Sequence, residues 1–567
     1  MEHLSNGVGK WRLLSGNARV RLFILSVLVL ITMLKTSAVE APATQIRLNT
    51  IGYLPESPKK ASVATPCTNL TVTRISDGRT MLTGTVSGPL TNTDTREELY
   101  IADFSALREP GEYRLVVPNA GESPSFRIGP EVYRMPFYTV TRGMYLWRCG
   151  TAVSATCDGR TFAHGVCHTN DAWLDYVTGS HEQKNSTKGW HDAGDYNKYV
   201  VNAGVTVGCM LRAWEDFGPA IRRVRLDLPE SRGKLPEFLA EVKWETDWLL
   251  TMQLPDGSVS HKVTTRKFGP FILPEQEKED RYFTAWSSAA TADFVAMLAQ
   301  AARSFRPYDP AYADQCLAAA RKSYAFLQTH PTNHNADLKA FSTGGYGTRD
   351  ADDRLWAAAE LWETTGDSQL LQDLETRLKS SGAAVQQNFD WGEVGNLGVF
   401  TYLLSKRTGR DSNLVAQCRN NVLQTADKIV QARMAHGYAR PLGSTYYWGG
   451  NGGVARQALI LHTANQLAQK ADYRDTILDG LNHLLGRNYH GRSYVTGLGY
   501  RPPLRPHDRR SGGDNVDEPW PGYLVGGPNP KATDWQDKQE DYRTNEIAIN
   551  WNGALIYALA AALPNTN

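Results

Sequence analysis

The sequence has little cysteine, no surplus of either charge and no apolar run of membrane-spanning length near its N-terminus. Its 567 residues contain only seven cysteines, a number too low and too odd for a fold held together by disulfides. Lys and Arg number 61 against 59 Asp and Glu, so no net field would hold the protein on nucleic acid or on an anionic membrane. We therefore predict neither nucleic acid nor a stable membrane association as a partner.

The apolar run near the N-terminus, residues 22–34, is 13 residues long. A membrane-spanning helix needs roughly 20. Basic residues precede the run and small residues follow it, which is the order of a secretory leader. Residues 1–41 are therefore predicted to be a cleaved signal peptide, with an uncleaved anchor as the alternative, and the mature protein is predicted to be secreted or periplasmic.

Short strand-like runs fill residues 42–130. β-Branched and aromatic residues, punctuated by Gly, Pro, Asn and Asp, make up segments such as IRLNTIGYLP, LTVTRI, LYIADFSAL and GEYRLVVP. About seven such runs in this length predict a small β-sandwich of the immunoglobulin type, without the Cys–Trp–Cys core of antibody domains.

From residue 131 to residue 567 the hydrophobic pattern changes to the period of helices. Apolar residues recur at helical spacing in long segments such as KLPEFLAEVKWETDWLLTMQ and NGGVARQALILHTANQLAQ. About a dozen such segments, separated by Gly- and Pro-rich loops, predict a mainly α domain in which paired helices form a closed ring. We expect the loops to present the functional site, because they hold most of the unusual polar residues.

The loop GWHDAGDYNKY carries two carboxylates, Asp192 and Asp195, on either side of a glycine and directly before a helical segment. Such a turn can aim both acids at one point. The alternative is structural, since Asp195 could cap the following helix and Asp192 could bond the backbone of the turn itself.

Two later loops are also rich in functional groups. The proline-stiffened stretch RPPLRPHDRR holds His507 and Arg509, which suit hydroxyl-rich or anionic ligands. The stretch from 533 to 552 holds Asp537, Tyr542 and Glu546 before the apolar terminal helix. Glu546 could be no more than a first-turn charge favoured by the helix dipole.

Taken together, GWHDAGDYNKY, LLGRNYHGRSYVTGLGY with RPHDRRSGGD, GYLVGGPNP and WQDKQEDYRTNEIAINWN resemble the successive signatures of the family-9 glycoside hydrolases, the cellulase family. The segment beginning IRLNTIGYLP is similar to the immunoglobulin-like module of one branch of that family. The resemblance implies a mainly α protein, with an (α/α)6 barrel over residues 131–567 preceded by an immunoglobulin-like β-sandwich over residues 42–130.

The resemblance also implies residue roles in a hydrolysis that inverts the anomeric centre. Glu546 matches the general acid, Asp195 the base, and Asp192 a second carboxylate that helps to orient the attacking water. His507 and Arg509 resemble the substrate-binding pair of the family. Asp537 matches the other acidic position of the terminal signature, with a structural role that clamps the loop as its alternative. Asp508 and the pair Asn552-Gly553 depart from the usual pattern of the family.

Aromatic side chains are candidates for stacking on glucose rings, whose apolar faces they cover well. Each could equally belong to the core. The candidates are Trp286, Tyr446, Tyr447, Trp448 and Tyr542.

Four residues in or near the loop GWHDAGDYNKY, which we call the base loop, suit a structural zinc ion. Cys149, Cys167 and His168 lie upstream of the loop, and His191 within it, so two thiolates and two imidazoles can converge as a Cys2His2 site. Relatives with the immunoglobulin-like module carry zinc on residues that look like these four. The alternatives are a Cys149–Cys167 disulfide or free thiols.

Calcium is a second candidate ion. Asp352 and Asp353, with Asp350 beside them and Glu393 further along, offer the hard oxygen ligands that calcium takes. Similar positions bind calcium in some relatives. Ordinary acids at a helix N-terminus would explain the run as well.

We therefore expect a monomeric endo-β-1,4-glucanase that needs no cofactor for its chemistry and that acts on β-1,4-glucan polysaccharide or cello-oligosaccharides. An exo-acting enzyme of the same family, such as a cellobiohydrolase, β-glucosidase or glucosaminidase, is the nearest alternative. A noncatalytic carbohydrate-binding protein and a zinc-dependent hydrolase are the others.

Overall fold

The N-terminal part of the fold is built from β-strands in the computed structural model, which describes residues 44–564. Its strands, all short except the fifth, alternate between buried and exposed positions, as expected for sheets with one solvated face. They are β1 (Ile46–Arg47), β2 (Gly52–Tyr53), β3 (Lys60–Val63), β4 (Asn69–Arg74), β5 (Thr80–Asn92), β6 (Glu97–Asp103), β7 (Gly111–Val117), β8 (Gly121–Glu122) and β9 (Phe126–Ile128).

These strands form two layers linked by β5. One layer has the order β1-β3-β6-β5, and the other has the order β5-β4-β7-β9-β2, with β8 added on β7. The first part of β5, up to Thr85, pairs with β4, whereas its second part, from Val86 on, pairs with β6 with a register shift between Ser87 and Leu90. Apolar side chains from both layers, such as Val63 and Leu115, meet in one separate core. The structure therefore contains the predicted immunoglobulin-like sandwich.

Helices make up most of the remaining chain. They are α1 (Arg134–Leu146), α2 (Val200–Ile221), α3 (Glu237–Met252), α4 (Ser288–Phe305), α5 (Pro310–Thr329), α6 (Ala351–Thr365), α7 (Ser368–Ser380), α8 (Gly395–Leu404), α9 (Ser412–Ala435), α10 (Gly450–Leu467), α11 (Ala471–Leu484), α12 (Arg509–Gly513), α13 (Tyr542–Asn545) and α14 (Ile549–Ala560).

The long helices form two concentric rings. The inner helices are α2, α4, α6, α8, α10 and α14; α14 packs on α2, α2 on α4, α4 on α6, α6 on α8, and α10 on α14. The outer helices α1, α3, α5, α7, α9 and α11 each pack against the inner ring. Inner helices such as α2 and α14 are buried on nearly every face, as expected of helices that are apolar all round. The domain is thus an (α/α)6 barrel, and the fold class is mainly α as predicted.

Smaller elements lie between the helices. The strands β10 (Val153–Cys157) and β11 (Arg160–His164) form a hairpin. The strands β12 (Lys198–Tyr199), β13 (Lys262–Thr264) and β14 (Tyr282–Phe283) form a second small antiparallel sheet, and a 3₁₀ turn spans Pro274–Gln276. Because β12 leads directly into α2, this second sheet fixes the chain where the inner ring begins.

The sandwich and the barrel share buried polar contacts. Asn49 donates to the Asn482 side chain at 2.9 Å, and the Ser62 hydroxyl donates to the Gly437 carbonyl at 2.7 Å. Arg487 in turn donates to the Ser62 hydroxyl at 3.0 Å. Residues 44–564 accordingly fall within one compact unit.

Two alternative predictions concern the N-terminal segment. The predicted signal peptide and its alternative, an uncleaved anchor, lie outside the described residues. Within residues 44–564, none of the helices combines the length and the apolar character that crossing a membrane requires.

Candidate active site

A cavity of about 510 Å³ lies at one end of the barrel, where several inner helices begin. Its walls come from the segments that precede α2, α6, α8 and α10, together with the start of α14. The volume is in the range of typical ligand sites. The residues that line it are Asp192, Ala193, Asp195, Tyr199, Phe268, Gly344, Gly345, Tyr346, Asp390, Trp391, Tyr447, Trp448, Glu546, Ala548, Asn550 and Trp551.

The base loop, residues 189–199, is a tight turn held against the terminal helix. The Asp192 N–H donates to the Asn197 carbonyl at 3.0 Å, which closes the turn. The Asp192 carbonyl accepts the Ile549 N–H at 2.9 Å. Chain segments some 350 residues apart therefore meet at the cavity.

Asp195 is oriented by its neighbours in the loop. One carboxylate oxygen, Oδ2, accepts the Asn197 N–H at 3.3 Å and the Tyr199 hydroxyl at 3.2 Å, and also the Asn197 side-chain amide. Only 6% of Asp195 is exposed. The other oxygen, Oδ1, has none of these partners within the described residues, so it is the one available to a molecule in the cavity.

Asp192 is more deeply enclosed. Its two oxygens accept the Asn202 amide at 2.7 Å and the Tyr346 hydroxyl at 2.8 Å. Burial raises the pKa of Asp192 well above its ordinary value, and the charge of Asp195 raises it further, although the bonds from Asn202 and Tyr346 act in the opposite direction. Asp192 and Asp195 thus differ in environment although they share one turn.

Glu546 lies between α13 and α14 in extended conformation and is half-buried. Its carbonyl accepts the Gly526 N–H at 2.9 Å, and its backbone runs beside that of His507. Burial raises the pKa of Glu546 well above its ordinary value; the carboxylates of Asp195 and Asp192 raise it further, while Arg509 lowers it. Glu546 is therefore suited to hold a proton at a pH where an ordinary carboxyl has lost it.

His507 and Arg509 belong to the proline-rich loop RPPLRPHDRR. Their bonds join this loop to the 533–552 stretch and to the base loop. The His507 Nδ1–H donates to the Gln539 carbonyl at 2.7 Å, which leaves Nε2 as an acceptor. Arg509 donates to the Gly194 carbonyl at 2.7 Å through its guanidinium and at 3.1 Å through its backbone N–H. Neither side chain is part of the cavity lining. Arg509 instead fixes the base loop in position.

Exposed aromatic rings continue the cavity along the surface. Trp448 is 50% exposed, Phe268 49% and Tyr542 42%, unusually high values for such large side chains. A row of rings runs from Phe271 to His507, then to Tyr542 and Trp448, with neighbouring centroids 5.2, 6.0 and 5.4 Å apart. Trp448 and Tyr542, the two exposed rings of this row, offer apolar faces on which sugar rings can stack.

Asp537 also lies outside the cavity lining. Asp537 accepts the Leu504 and Arg505 N–H groups at 2.8 Å and the Arg492 guanidinium at 3.0 Å, so it clamps the loop before His507. These bonds are of the kind expected from its alternative role, a loop clamp.

Trp286 is also outside the cavity lining. Its ring stacks on that of His334 at 3.9 Å and meets Phe326 edge-on at 5.0 Å. The two tyrosines before Trp448 divide between two settings. Tyr447 lines the cavity, whereas Tyr446 faces the sandwich, where it bonds Asp94 at 3.0 Å.

Cys149, Cys167, His168 and His191 form the metal-binding group predicted from the sequence. Their ligand atoms all lie within 4.8 Å of one another, and all four residues are buried. The Cys149 thiol lies 3.6 Å from His168 Nδ1, and the Cys167 thiol lies 3.9 Å from His191 Nε2. Tetrahedral zinc, with Zn–S about 2.3 Å and Zn–N about 2.0 Å, places such atoms roughly 3.6 Å apart. The donor set therefore fits zinc.

The surroundings support that fit. His168 Nε2 lies 3.1 Å from a Glu277 carboxylate oxygen, the arrangement that orients metal-bound imidazoles. All seven cysteines are free, so the alternative of a Cys149–Cys167 disulfide is not what the structure contains. His191 directly precedes Asp192, and the Cys149 N–H donates to the Gly189 carbonyl at 2.8 Å. The site therefore braces the base loop at two points.

The carboxylates proposed for calcium do not converge. Asp352 accepts the Val394 N–H at 2.6 Å, close to Glu393, whereas Asp353 is buried inside the barrel beside Asp293. Asp350 pairs with Arg354 at 2.7 Å. Among the described residues these acids do not form a metal-binding group. Asp350 makes no capping bond at the start of α6, and Asp352 instead accepts a backbone N–H at the start of α8.

Several residues in or near the cavity were not predicted from the sequence. Tyr199 and Tyr346 hold the two base-loop carboxylates, and Phe268 and Trp391 line the walls. Lys262 donates to Gly344 at 2.7 Å; burial lowers its pKa to about 8, while Asp195 and Asp192 counteract that effect. Tyr199 ends the motif GWHDAGDYNKY, whereas Tyr346, Phe268 and Trp391 come from three separate loops without a signature of their own. The apolar-aromatic content of KFGPF was the one available hint for Phe268.

Comparisons with known proteins agree on one family. The chain matches the family described as glycosyl hydrolase family 9 over residues 133–559 and the one described as cellulase N-terminal ig-like domain over residues 41–122. It is 56% identical over 520 residues to Endoglucanase D of Acetivibrio thermocellus, which covers 91% of this chain and 83% of that relative.

Solved structures give the same answer. A metagenome-derived glycoside hydrolase family 9 endoglucanase aligns with a TM-score of 0.86 at 34% identity, covering 92% of this chain and 99% of that chain. The zinc-binding triple mutant of family 9 endoglucanase J30 aligns with a TM-score of 0.85 at 32% identity, covering 90% and 100%.

Proposed function

The chain belongs to glycosyl hydrolase family 9, and from that premise we propose that it is an endo-β-1,4-glucanase that hydrolyses internal bonds of cellulose and soluble β-glucans with inversion at the anomeric carbon. The carrying observation is that Glu546, Asp195 and Asp192 line one cavity in unlike environments. Inversion needs such a pair, one carboxyl protonated and the other ionised.

The proposed acid step belongs to Glu546. Its raised pKa keeps a proton on the carboxyl in the free enzyme. As the bond between the anomeric carbon and the leaving oxygen breaks, Glu546 gives this proton to that oxygen, so the departing sugar leaves as a neutral alcohol. Glu546 is left as a carboxylate and takes up a proton from solvent before the next cycle.

The proposed base step belongs to Asp195. Its oxygen without a partner accepts a proton from a water molecule while that water attacks the anomeric carbon from the face opposite the leaving group. Asp192, fixed by Asn202 and Tyr346, orients the same water. The new bond forms on the opposite face, and a β-linkage therefore yields an α-product.

Substrate binding rests on the aromatic row and on the charged loop behind it. Trp448 and Tyr542, the exposed rings of this row, offer stacking surface beside the cavity, which an oligosaccharide or polymer can occupy together with the cavity and a single sugar cannot. This extended surface favours polymer cleavage over the exo-acting alternative. His507 Nε2 is the acceptor we assign to a sugar hydroxyl.

Zinc, held by Cys149, Cys167, His168 and His191, has a structural role in this proposal. Four protein ligands satisfy a tetrahedral ion and leave no position for water or substrate. When bound, the ion supplies rigidity to the segment that carries Asp192 and Asp195.

The test is the time course of viscosity and of reducing ends on carboxymethylcellulose, with Asp195→Ala and Glu546→Ala beside the wild type. A steep early fall in viscosity that both substitutions abolish is the expected result. Release of reducing sugar at nearly constant viscosity would identify an exo-acting enzyme. Binding of the polymer without hydrolysis by the wild type would identify a noncatalytic protein.

A further inference from the structure

The hairpin between β5 and β6 carries a loop of the sandwich onto the barrel. Residues 93–96 form this loop; the Arg96 N–H donates to the Asn92 carbonyl at 2.8 Å and closes it. The Asn92 side chain accepts the Gly437 N–H of the barrel at 3.1 Å. The base of the hairpin is therefore anchored beside the end of α9.

Asp94, in this loop, directs its carboxylate into the barrel. Oδ2 accepts the Tyr446 hydroxyl at 3.0 Å and lies 2.9 Å from His436 Nε2, while Oδ1 accepts the Ser444 hydroxyl. Only 7% of the Asp94 side chain and 5% of the His436 side chain are exposed. A nearly buried carboxylate of the sandwich thus depends entirely on barrel residues for these bonds.

The direction of each bond is fixed. His436 Nδ1 accepts the Tyr438 N–H at 3.1 Å, so Nε2 carries the proton and donates to Asp94. Burial opposes ionisation, but the bonds from His436, Ser444 and Tyr446 hold the pKa of Asp94 well below its ordinary value. Asp94 is therefore a permanent acceptor for three donors of the barrel.

Two of these donors belong to the segment that builds one wall of the cavity. Ser444 and Tyr446 directly precede Tyr447 and Trp448, both of which line the cavity. The Tyr446 hydroxyl bonds Asp94, and the Arg440 guanidinium lies over the Tyr446 ring, 4.1 Å from its centroid. Tyr446 is thus held between the two groups, and its position sets that of the next two residues.

The far end of the segment is equally confined. A Cβ atom on Gly449 would lie 2.5 Å from the Trp551 ring nitrogen, and the Gly450 N–H donates to the Tyr447 carbonyl at 2.8 Å. Residues 443–449 therefore form an arch. Asp94 holds one of its ends, and α10 with Trp551 holds the other.

We propose that Asp94 is a positioning residue for substrate binding: through Ser444 and Tyr446 the sandwich fixes the arch at residues 443–449, and with it the Tyr447 and Trp448 wall on which a sugar unit of the glucan stacks. This inference rests on the proposed function for the identity of the ligand. It extends that function by giving the sandwich a direct share in the affinity for substrate.

Glu97, in the same hairpin, is the matched control. It accepts the Tyr438 hydroxyl at 2.6 Å and pairs with Arg47 at 2.9 Å, so it also bridges sandwich and barrel. Its partners lie outside the arch. Loss of Glu97 should weaken the contact between the sandwich and the barrel without moving Tyr447 and Trp448.

The experiment compares Asp94→Ala and Glu97→Gln with the wild type on cellohexaose. Loss of three bonds to a charged acceptor should raise KM for Asp94→Ala by about 5- to 10-fold with kcat within about twofold. Glu97→Gln should leave both constants unchanged. Amide hydrogen exchange of residues 443–449 should be faster in Asp94→Ala alone, a readout that needs no substrate.

A double-mutant cycle identifies the route. If Asp94 acts through the wall, Asp94→Ala should add little to the KM of Trp448→Ala. Full additivity would overturn the proposal, as would a lower melting temperature of Asp94→Ala with unchanged KM and unchanged exchange of the arch.

Two further outcomes are distinguishable. If Asp94→Ala does not fold, Ser444→Ala with Tyr446→Phe removes from the barrel side the two bonds that reach the arch, and it must raise KM for the proposal to stand. If the wild type neither binds nor cleaves cellohexaose, the proposed function fails; unchanged exchange of residues 443–449 would then overturn the positioning role as well.

Discussion

A Cβ atom on Gly194 would lie 2.2 Å from the His507 carbonyl oxygen. The loop with Asp195 and the loop with His507 therefore touch at a residue that has no side chain. We expect Gly194→Ala to push the loops apart and to lower kcat by about 100-fold, because a displacement of about 1 Å at a reacting group has an effect of that size.

Gly129→Ala provides the control for that substitution, since a Cβ there meets no atom within 4 Å. Steady-state kinetics on carboxymethylcellulose, with circular dichroism to establish folding, are the measurements. Wild-type kcat in a folded Gly194→Ala protein would show that the contact does not position the base.

Glu546→Gln should lower kcat on cellulose by about 100- to 10,000-fold, the range of general acid catalysis. An aryl cellobioside with a good leaving group should lose much less, since that leaving group departs without a proton. Glu540→Gln, an exposed acid of the preceding segment, is the matched control. Equal losses on both substrates would contradict the role of Glu546 as the acid.

The pH dependence of kcat/KM should carry the signature of Glu546. Its carboxyl must be protonated to act, and burial together with Asp195 and Asp192 raises its pKa, against the opposing charge of Arg509. The alkaline limb of the profile should therefore lie well above the ordinary glutamate value of about 4.3. A loss of activity centred near pH 4 would assign the limb to an unperturbed carboxyl.

Removal of zinc should destabilise the fold before it affects turnover. Chelation, or Cys149→Ser, should lower the melting temperature, whereas activity should persist until the protein unfolds. Glu277→Gln should weaken zinc affinity by roughly 10- to 100-fold, because Glu277 orients His168. Cys157→Ser, a thiol outside the ligand set, should change neither quantity. Immediate loss of turnover in a fully folded protein would favour a zinc-dependent hydrolase.

Asp293 and Asp353 form a buried acid pair inside the barrel, with Asp352 as the other charge acting on both. Burial raises the pKa of both carboxyls, so the stability they contribute is present at low pH and is lost as pH rises. Between the ordinary aspartate pKa of about 3.9, which applies to the unfolded chain, and the raised pKa of the folded pair, the free energy of unfolding should fall by about 1.4 kcal/mol per pH unit for each proton that only the folded state retains. Asp353→Asn should flatten this fall in chemical unfolding followed from about pH 4 upward; a parallel dependence in variant and wild type would refute it.

Contiguous motifs made the core of the site predictable. Asp192 and Asp195 lie in one turn, so their proximity follows from the sequence, whereas Glu546, some 350 residues further along the chain, was assigned by the resemblance of its motif to the family-9 signature. The strand and helix periods likewise predicted the sandwich and the barrel, because each period follows from which face of an element is buried.

Residues whose roles depend on distant partners could not be predicted. Trp286 looked like a stacking platform, but the sequence does not reveal that His334 covers its ring. Phe268 and Tyr346 reach the cavity from loops without a signature. Asp94 lies in a hairpin turn where an acid is ordinary, and only the folded chain brings it to Ser444 and Tyr446.

The terminal helix α14 closes the inner ring and begins three residues after Glu546. During synthesis the ribosome therefore adds the base loop hundreds of residues before it adds Glu546 and α14, the helix that completes the barrel. A chain that stops short of residue 546 lacks both the proposed proton donor and the helix that closes the inner ring. The proposed hydrolysis therefore requires the completed barrel.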